Sequence, residues 1–116
     1  MSRFDGLAME QFFEKAEESD HGMMSMLLSA ASDWYGQYTE VRDELEKTEL
    51  TEQEMHAVEA SLAKSESQAK SCLISIFCLA DKYGVRVFSC NPEKEEHFKG
   101  CCAEIWDYET KQQHGA

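Results

Sequence analysis

At 116 residues the chain is the length of one domain, and 42% apolar content is enough for one core and argues against wholesale disorder. Its formal charge of −12 is uneven: residues 1–60 hold 15 acids against 4 bases, a net of −11, and residues 61–116 hold 8 against 7, a net of −1. A chain this acidic repels phosphate, which weighs against direct binding to nucleic acid or an anionic membrane and makes a basic protein surface its natural complement.

Arg3 and Asp5 lead into an amphipathic stretch and not a continuous apolar run, so no signal peptide is expected. The longest apolar run, Cys72 to Ala80, is interrupted by Ser75 and is too short for a bilayer. Five cysteines, odd in number and without framework spacing, predict reduced thiols in a cytoplasmic setting.

In chain order, a short helix is expected over about 5–18, with Met9, Phe12, Phe13 and Ala16 at helical spacing. Ser19, Asp20 and Gly22 punctuate it, and Asp20 reads as the cap of a second helix over about 21–48. There Met24, Leu27, Ala31, Trp34, Tyr38, Val41, Leu45 and Thr48 alternate in steps of three and four, a heptad seam. The seam resumes at Met55, Val58, Leu62, Ser65, Ala69, Cys72, Ile76, Leu79 and Tyr83, in a third helix over about 52–83.

One continuous helix would carry the first seam's phase onto Glu52, Glu59 and Glu66, and burying unpaired carboxylates is costly. Thr51 followed by Glu54 is also a capping box, which marks a new start. The chain therefore turns back. In the antiparallel register Trp34 faces Ala69 and Tyr38 faces Ser65, bulky against small, the arrangement that fills a seam at native density. As a seam residue Trp34 is expected to cost about 3–5 kcal/mol when cut to alanine.

Gly84 stands where a left-handed residue closes the third helix, with Val85 after it. Val85 to Phe88 alternates like a strand without a visible partner, so 85–90 reads as an extended connector, or else as an edge that pairs with another chain. Asn91 is expected to cap a last helix over about 92–111 with Pro92 at its first position and Phe98, Cys101, Cys102, Ile105 and Trp106 inward. Gly100 weakens that helix, and the tail from Gln112 is expected to fray.

The expected fold is all-α: one helical domain over 1–116, four helices built on a long antiparallel, coiled-coil-like hairpin, with the short N- and C-terminal helices packed at its base. Toward its turn only the seam is apolar, so residues 39–66 project as an arm with a net charge of −6. Its acids Glu40, Asp43, Glu44, Glu46, Glu49, Glu52, Glu54 and Glu59 are the candidate partner-binding residues. A solvated face is the plain alternative for any charge run. Against it, Glu44, Glu46 and Glu49 crowd a helix C-terminus, where the macrodipole favours cations.

Other constellations are weaker. Cys90, His97, Cys101 and Cys102 lie close together, with His97 and Cys101 one turn apart, but the paired C-x-x-C spacing of zinc sites is absent and the cysteines read equally as core. Glu18 and His21 supply half of a di-iron motif without its second copy. Trp34, Tyr35 and Tyr38 read as packing before ligand stacking. No nucleotide, protease or hydrolase motif occurs, so neither catalysis nor a cofactor is expected.

The expected function is a small acidic interaction module, an inhibitor or regulator. It would dock its helical arm on a basic, nucleic-acid-handling protein with carboxylates in the place of phosphates. That character is shared with small helical inhibitors, many of them carried by phages, although no family motif is present. The alternatives are a homo-oligomeric adaptor, a homodimer in its simplest form, joined through the apolar base or residues 85–88, and a Cys/His zinc-binding regulator.

Overall fold

Asp5 stands in extended backbone, and its carboxylate accepts the amides of Leu7 and Ala8 at 3.0 and 3.2 Å, starting helix α1 (Gly6–Lys15). Three further helices follow: α2 (Glu18–Lys47), α3 (Glu52–Asp81) and α4 (Glu95–His114). These come from a computed structural model, which describes residues 3–47, 49–89, 91 and 94–114. The class is all-α, and α2 packs on α3 more extensively than any other pair of helices.

Two starts expected from local chemistry differ. The break before α2 falls at Ala16 and Glu17, so Asp20 lies inside the first turn and is not the cap. Tertiary contacts do the capping instead. The Glu17 amide donates to the Tyr83 hydroxyl at 3.2 Å, and the Asp20 carboxylate is held by Lys82 and Tyr83 of the α3 end. Likewise α4 begins at Glu95, three residues after the expected start, with the amides of His97 and Phe98 turned onto the Lys94 carbonyl. Pro92 lies outside the described residues.

The α2–α3 turn follows local rules. Thr51 and Glu54 form the capping box, the Glu54 amide donating to the Thr51 hydroxyl at 3.2 Å. At the other end Gly84 has φ of 72°, the Val85 amide donates to the Ala80 carbonyl at 3.1 Å and the Gly84 amide to Asp81 at 2.9 Å. This pair of bonds is the Schellman closure, and it requires a left-handed residue at position 84.

The core occupies one half of the hairpin. Met24, Leu28, Ala31 and Tyr38 of α2 and Ser65, Ala69, Leu73, Ile76 and Ala80 of α3 are buried, and no described residue between Tyr38 and Ser65 is fully buried. Trp34, expected inside, packs half-buried at the edge of that core. Beyond Tyr38 the hairpin continues as two helices with only half-buried apolar contacts such as Val41, Leu45, Val58 and Leu62, and Met55 is 40% exposed. Thr48, the seam's last member on α2, lies outside the described residues. The molecule measures 52 × 29 × 29 Å, and each 30-residue helix of the hairpin is about 45 Å long at 1.5 Å per residue.

At the base, Phe12 of α1 packs edge-on to Tyr83, and Phe98 of α4 packs edge-on to Tyr35 and Tyr38. Phe98, Cys101, Cys102 and Ile105 form the buried stripe of α4, but Trp106 is 48% exposed and not inward. It follows Ile105 directly, about 100° further around a helix of 3.6 residues per turn. α4 runs unbroken through Gly100, whose missing side chain leaves room for Arg3: a Cβ there would lie 2.6 Å from the guanidinium.

Arg3 belongs to a segment that pairs with the connector, a partner with no signal in the sequence. Phe4 and Phe88 form an antiparallel bridge, flanked by Asp5 amide to Val87 carbonyl at 2.7 Å and Ser89 amide to Arg3 carbonyl at 2.9 Å. Val85, Val87 and Phe88 are buried in the chain's own core, so this segment is not an open edge for a second chain. Three residues ahead of α1 are too few to carry an alternating pattern, which is why the pairing has no signature in sequence.

Candidate interaction surface

The hairpin sorts charge along its length. Glu40, Asp43, Glu44 and Glu46 project from the last turns of α2, Glu49 lies in the turn, and Glu52, Glu54 and Glu59 lie on the first turns of α3; all eight are exposed. None of them joins an ion pair among the described residues, where the pairs are Glu66–Lys70 at 3.8 Å and Asp20–Lys82 at 2.9 Å. Among the described residues Glu54 alone of the eight has a local side-chain partner, accepting the Thr51 hydroxyl at 2.8 Å.

The cations nearest the root of the arm are taken up by aromatic faces. Arg42 and Lys99 lie 5.7 and 5.6 Å from the Tyr38 ring centre, and Lys70 lies 5.6 Å from that of Phe98. Each such contact contributes about 0.5–1 kcal/mol at an exposed site. The result is a positive collar where the core ends and a negative tip beyond it. Glu44 and Glu46 face the negative pole of the α2 macrodipole at a cost of up to about 1 kcal/mol each, whereas Glu52 and Glu54 stand favourably at the α3 start.

The remaining candidates separate. Cys90 lies outside the described residues, Cys101 and Cys102 are buried, and the His97 ring nitrogen meets the Asn91 carbonyl at 3.3 Å. Among the described residues no three His, Cys, Asp or Glu side chains converge as a metal cage. Burial, with Cys72 nearby, pushes the Cys102 thiol up to about 12. His21 contacts the Ala16 carbonyl at 3.0 Å and the Phe13 ring edge-on, an anchor for the α1–α2 junction. Tyr35 and Tyr38 stack with ring centres 6.4 Å apart and both meet Phe98, which places them in packing.

One grouping had no signal in the sequence. Glu10 and Phe13 of α1, Leu28 of α2, and Tyr108 and Glu109 of α4 line a common groove at the base. They come from three separate helices, and each alone reads as an ordinary surface or core residue. No described helix is long and apolar enough to cross a membrane. No protein-family model, curated protein or solved structure matches the chain.

Proposed function

We propose that this chain is an acidic interaction module that docks the tip of its α2–α3 hairpin on a positively charged protein. The observation that carries this reading is the exposure, without ion-pair partners among the described residues, of all eight acids from Glu40 to Glu59. Apart from Glu54 in the capping box and Glu52 beside it at the α3 start, these carboxylates neither cap nor pair, and those at the α2 end oppose folding, so their use lies outside the chain. A thin two-helix arm also brings both acidic faces to a partner with little steric obstruction. The partner of this reading is a nucleic-acid-handling protein whose phosphate-binding surface accepts carboxylates instead.

The test is capture from lysate by immobilised wild type and by a variant with Glu40, Glu44, Glu46 and Glu52 changed to Gln, at about 0.05 and 0.5 M salt. The expected partner is basic, is lost at high salt, is lost by the variant, and is displaced by added duplex nucleic acid. Equal capture by both proteins at both salts would remove the arm from the interface.

A further inference from the structure

Three helices bring cations to one pair of rings. The Tyr38 and Phe98 ring centres lie 5.4 Å apart. Arg42 of α2 and Lys99 of α4 lie 5.7 and 5.6 Å from the Tyr38 centre, and Lys70 of α3 lies 5.6 Å from that of Phe98. Lys70 also meets Glu66 at 3.8 Å, whereas Arg42 and Lys99 join no ion pair among the described residues. A ring quadrupole attracts a cation without cancelling its charge, so the collar stays positive toward a carboxylate from outside. One molecule thus carries both a cationic collar and an arm of net charge −6.

A second observation is apolar and independent of charge. Met55, in the first turn of α3 at the tip, is 40% exposed. Trp106 is 48% exposed and follows Lys99 by seven residues, about two turns along one face of α4. Its ring borders α2, where a Cβ at Gly36 would lie 3.7 Å away. The tip therefore offers acids and a thioether, and the collar offers cations and an indole. A thioether and an aromatic ring attract one another.

We infer that copies of this chain associate head to tail, the acidic tip of one seated on the Arg42, Lys70 and Lys99 collar of the next, with Met55 against Trp106. The contact rests on the arm being a docking surface, and it regulates that surface: a tip held by a collar is withheld from any other basic protein. A two-fold pairing does not suit, because antiparallel arms would lie side by side with −6 against −6. Head to tail, the acids are kept apart. From Tyr38 to Lys47 α2 advances about 14 Å, so the receiving chain's own tip lies beyond the screening length of about 10 Å at 0.1 M salt. Such a heterologous contact leaves one tip and one collar open at the ends, so assemblies grow beyond a dimer.

The test is sedimentation velocity on full-length protein, with one variant blocked at the tip (Glu44→Gln, Glu46→Gln, Glu49→Gln) and one at the collar (Arg42→Gln, Lys99→Gln). None of these positions is buried, and circular dichroism checks that both variants fold. At about 0.1 M salt the wild type is expected to grow past a dimer as concentration rises toward about 1 mM, and to return to monomer at about 0.5 M. Each variant alone is expected to stay monomeric. Their equimolar mixture is expected to stop at a one-to-one dimer, because it holds one intact tip and one intact collar. Trp106→Ala is expected to weaken association about tenfold. A monomeric wild type at about 1 mM, a wild type that stops at a dimer, growth by either variant alone, or a monomeric mixture would each overturn the head-to-tail contact. Capture of an outside basic protein needs only the tip. Capture by the collar variant without self-association of the wild type removes the head-to-tail contact alone, and self-association without capture removes the outside partner alone.

Discussion

The Tyr83 hydroxyl donates to the Asp20 carboxylate, and Lys82 donates to the same oxygen at 2.9 Å, so the end of α3 clamps the start of α2. The hydrogen bond from Tyr83, then that from Lys82, holds the Asp20 carboxyl below its ordinary value near 3.8, and Asp20 in turn raises Lys82 above 10.5. A depressed carboxylate stabilises the fold above its unfolded value, and that contribution is lost as pH falls through the lower folded value. A raised lysine stabilises below its unfolded value and loses its contribution as pH rises through the higher folded one. The clamp is therefore at full strength across neutral pH. Asp20→Asn is expected to lower the Tm from neutral pH down to about pH 4, with the two curves converging in stronger acid. Parallel curves down to pH 2 would show that the clamp does not contribute to stability.

Phe12 and Trp34 make a contrasting pair. Phe12 is fully buried against Tyr83 and Phe13, whereas Trp34 borders the core half-buried. Phe12→Ala is expected to cost about 3–5 kcal/mol, the range for core aromatics. Trp34→Ala is expected to cost less, about 2 kcal/mol, because part of its side chain stays exposed in the folded state. Urea unfolding of the two variants checks this, and equal losses would contradict the burial assigned to Trp34.

Ser65 is fully buried on α3, and its hydroxyl has no hydrogen-bond partner among the described residues. Burying a hydroxyl unpaired costs about 1–3 kcal/mol, and serine is a poorer helix former than alanine by about 0.5 kcal/mol. Ser65→Ala therefore removes a penalty at the small loss of one oxygen's packing. A gain of about 1 kcal/mol is expected, read as a higher urea midpoint at unchanged slope. Destabilisation would mean that the hydroxyl has a partner in solution.

The features legible in the sequence are those decided by neighbours along the chain. Spacing of three and four along α2 and α3, the Thr51–Glu54 box and Gly84 depend on backbone geometry within a turn or two, so the hairpin, its reversal and the α3 closure could be read directly. The exposure of the arm acids was equally readable, because a two-helix arm with one apolar seam has no second layer to bury them.

Only the tertiary structure decided the rest. Asp20 lost its capping role to a contact with Tyr83, 63 residues away, and residues 85–89 found their partner in Arg3 to Asp5 at the opposite end of the chain. The half-burial of Trp34, the exposure of Trp106 and the groove beside Tyr108 depend on where α1 and α4 land on the hairpin. The physical reason is common to all of these. Helix starts, stops and seams are set by hydrogen bonds and side-chain spacing a few residues apart, whereas the docking of one helix on another is set by surface shape and burial, which no short stretch of chain contains.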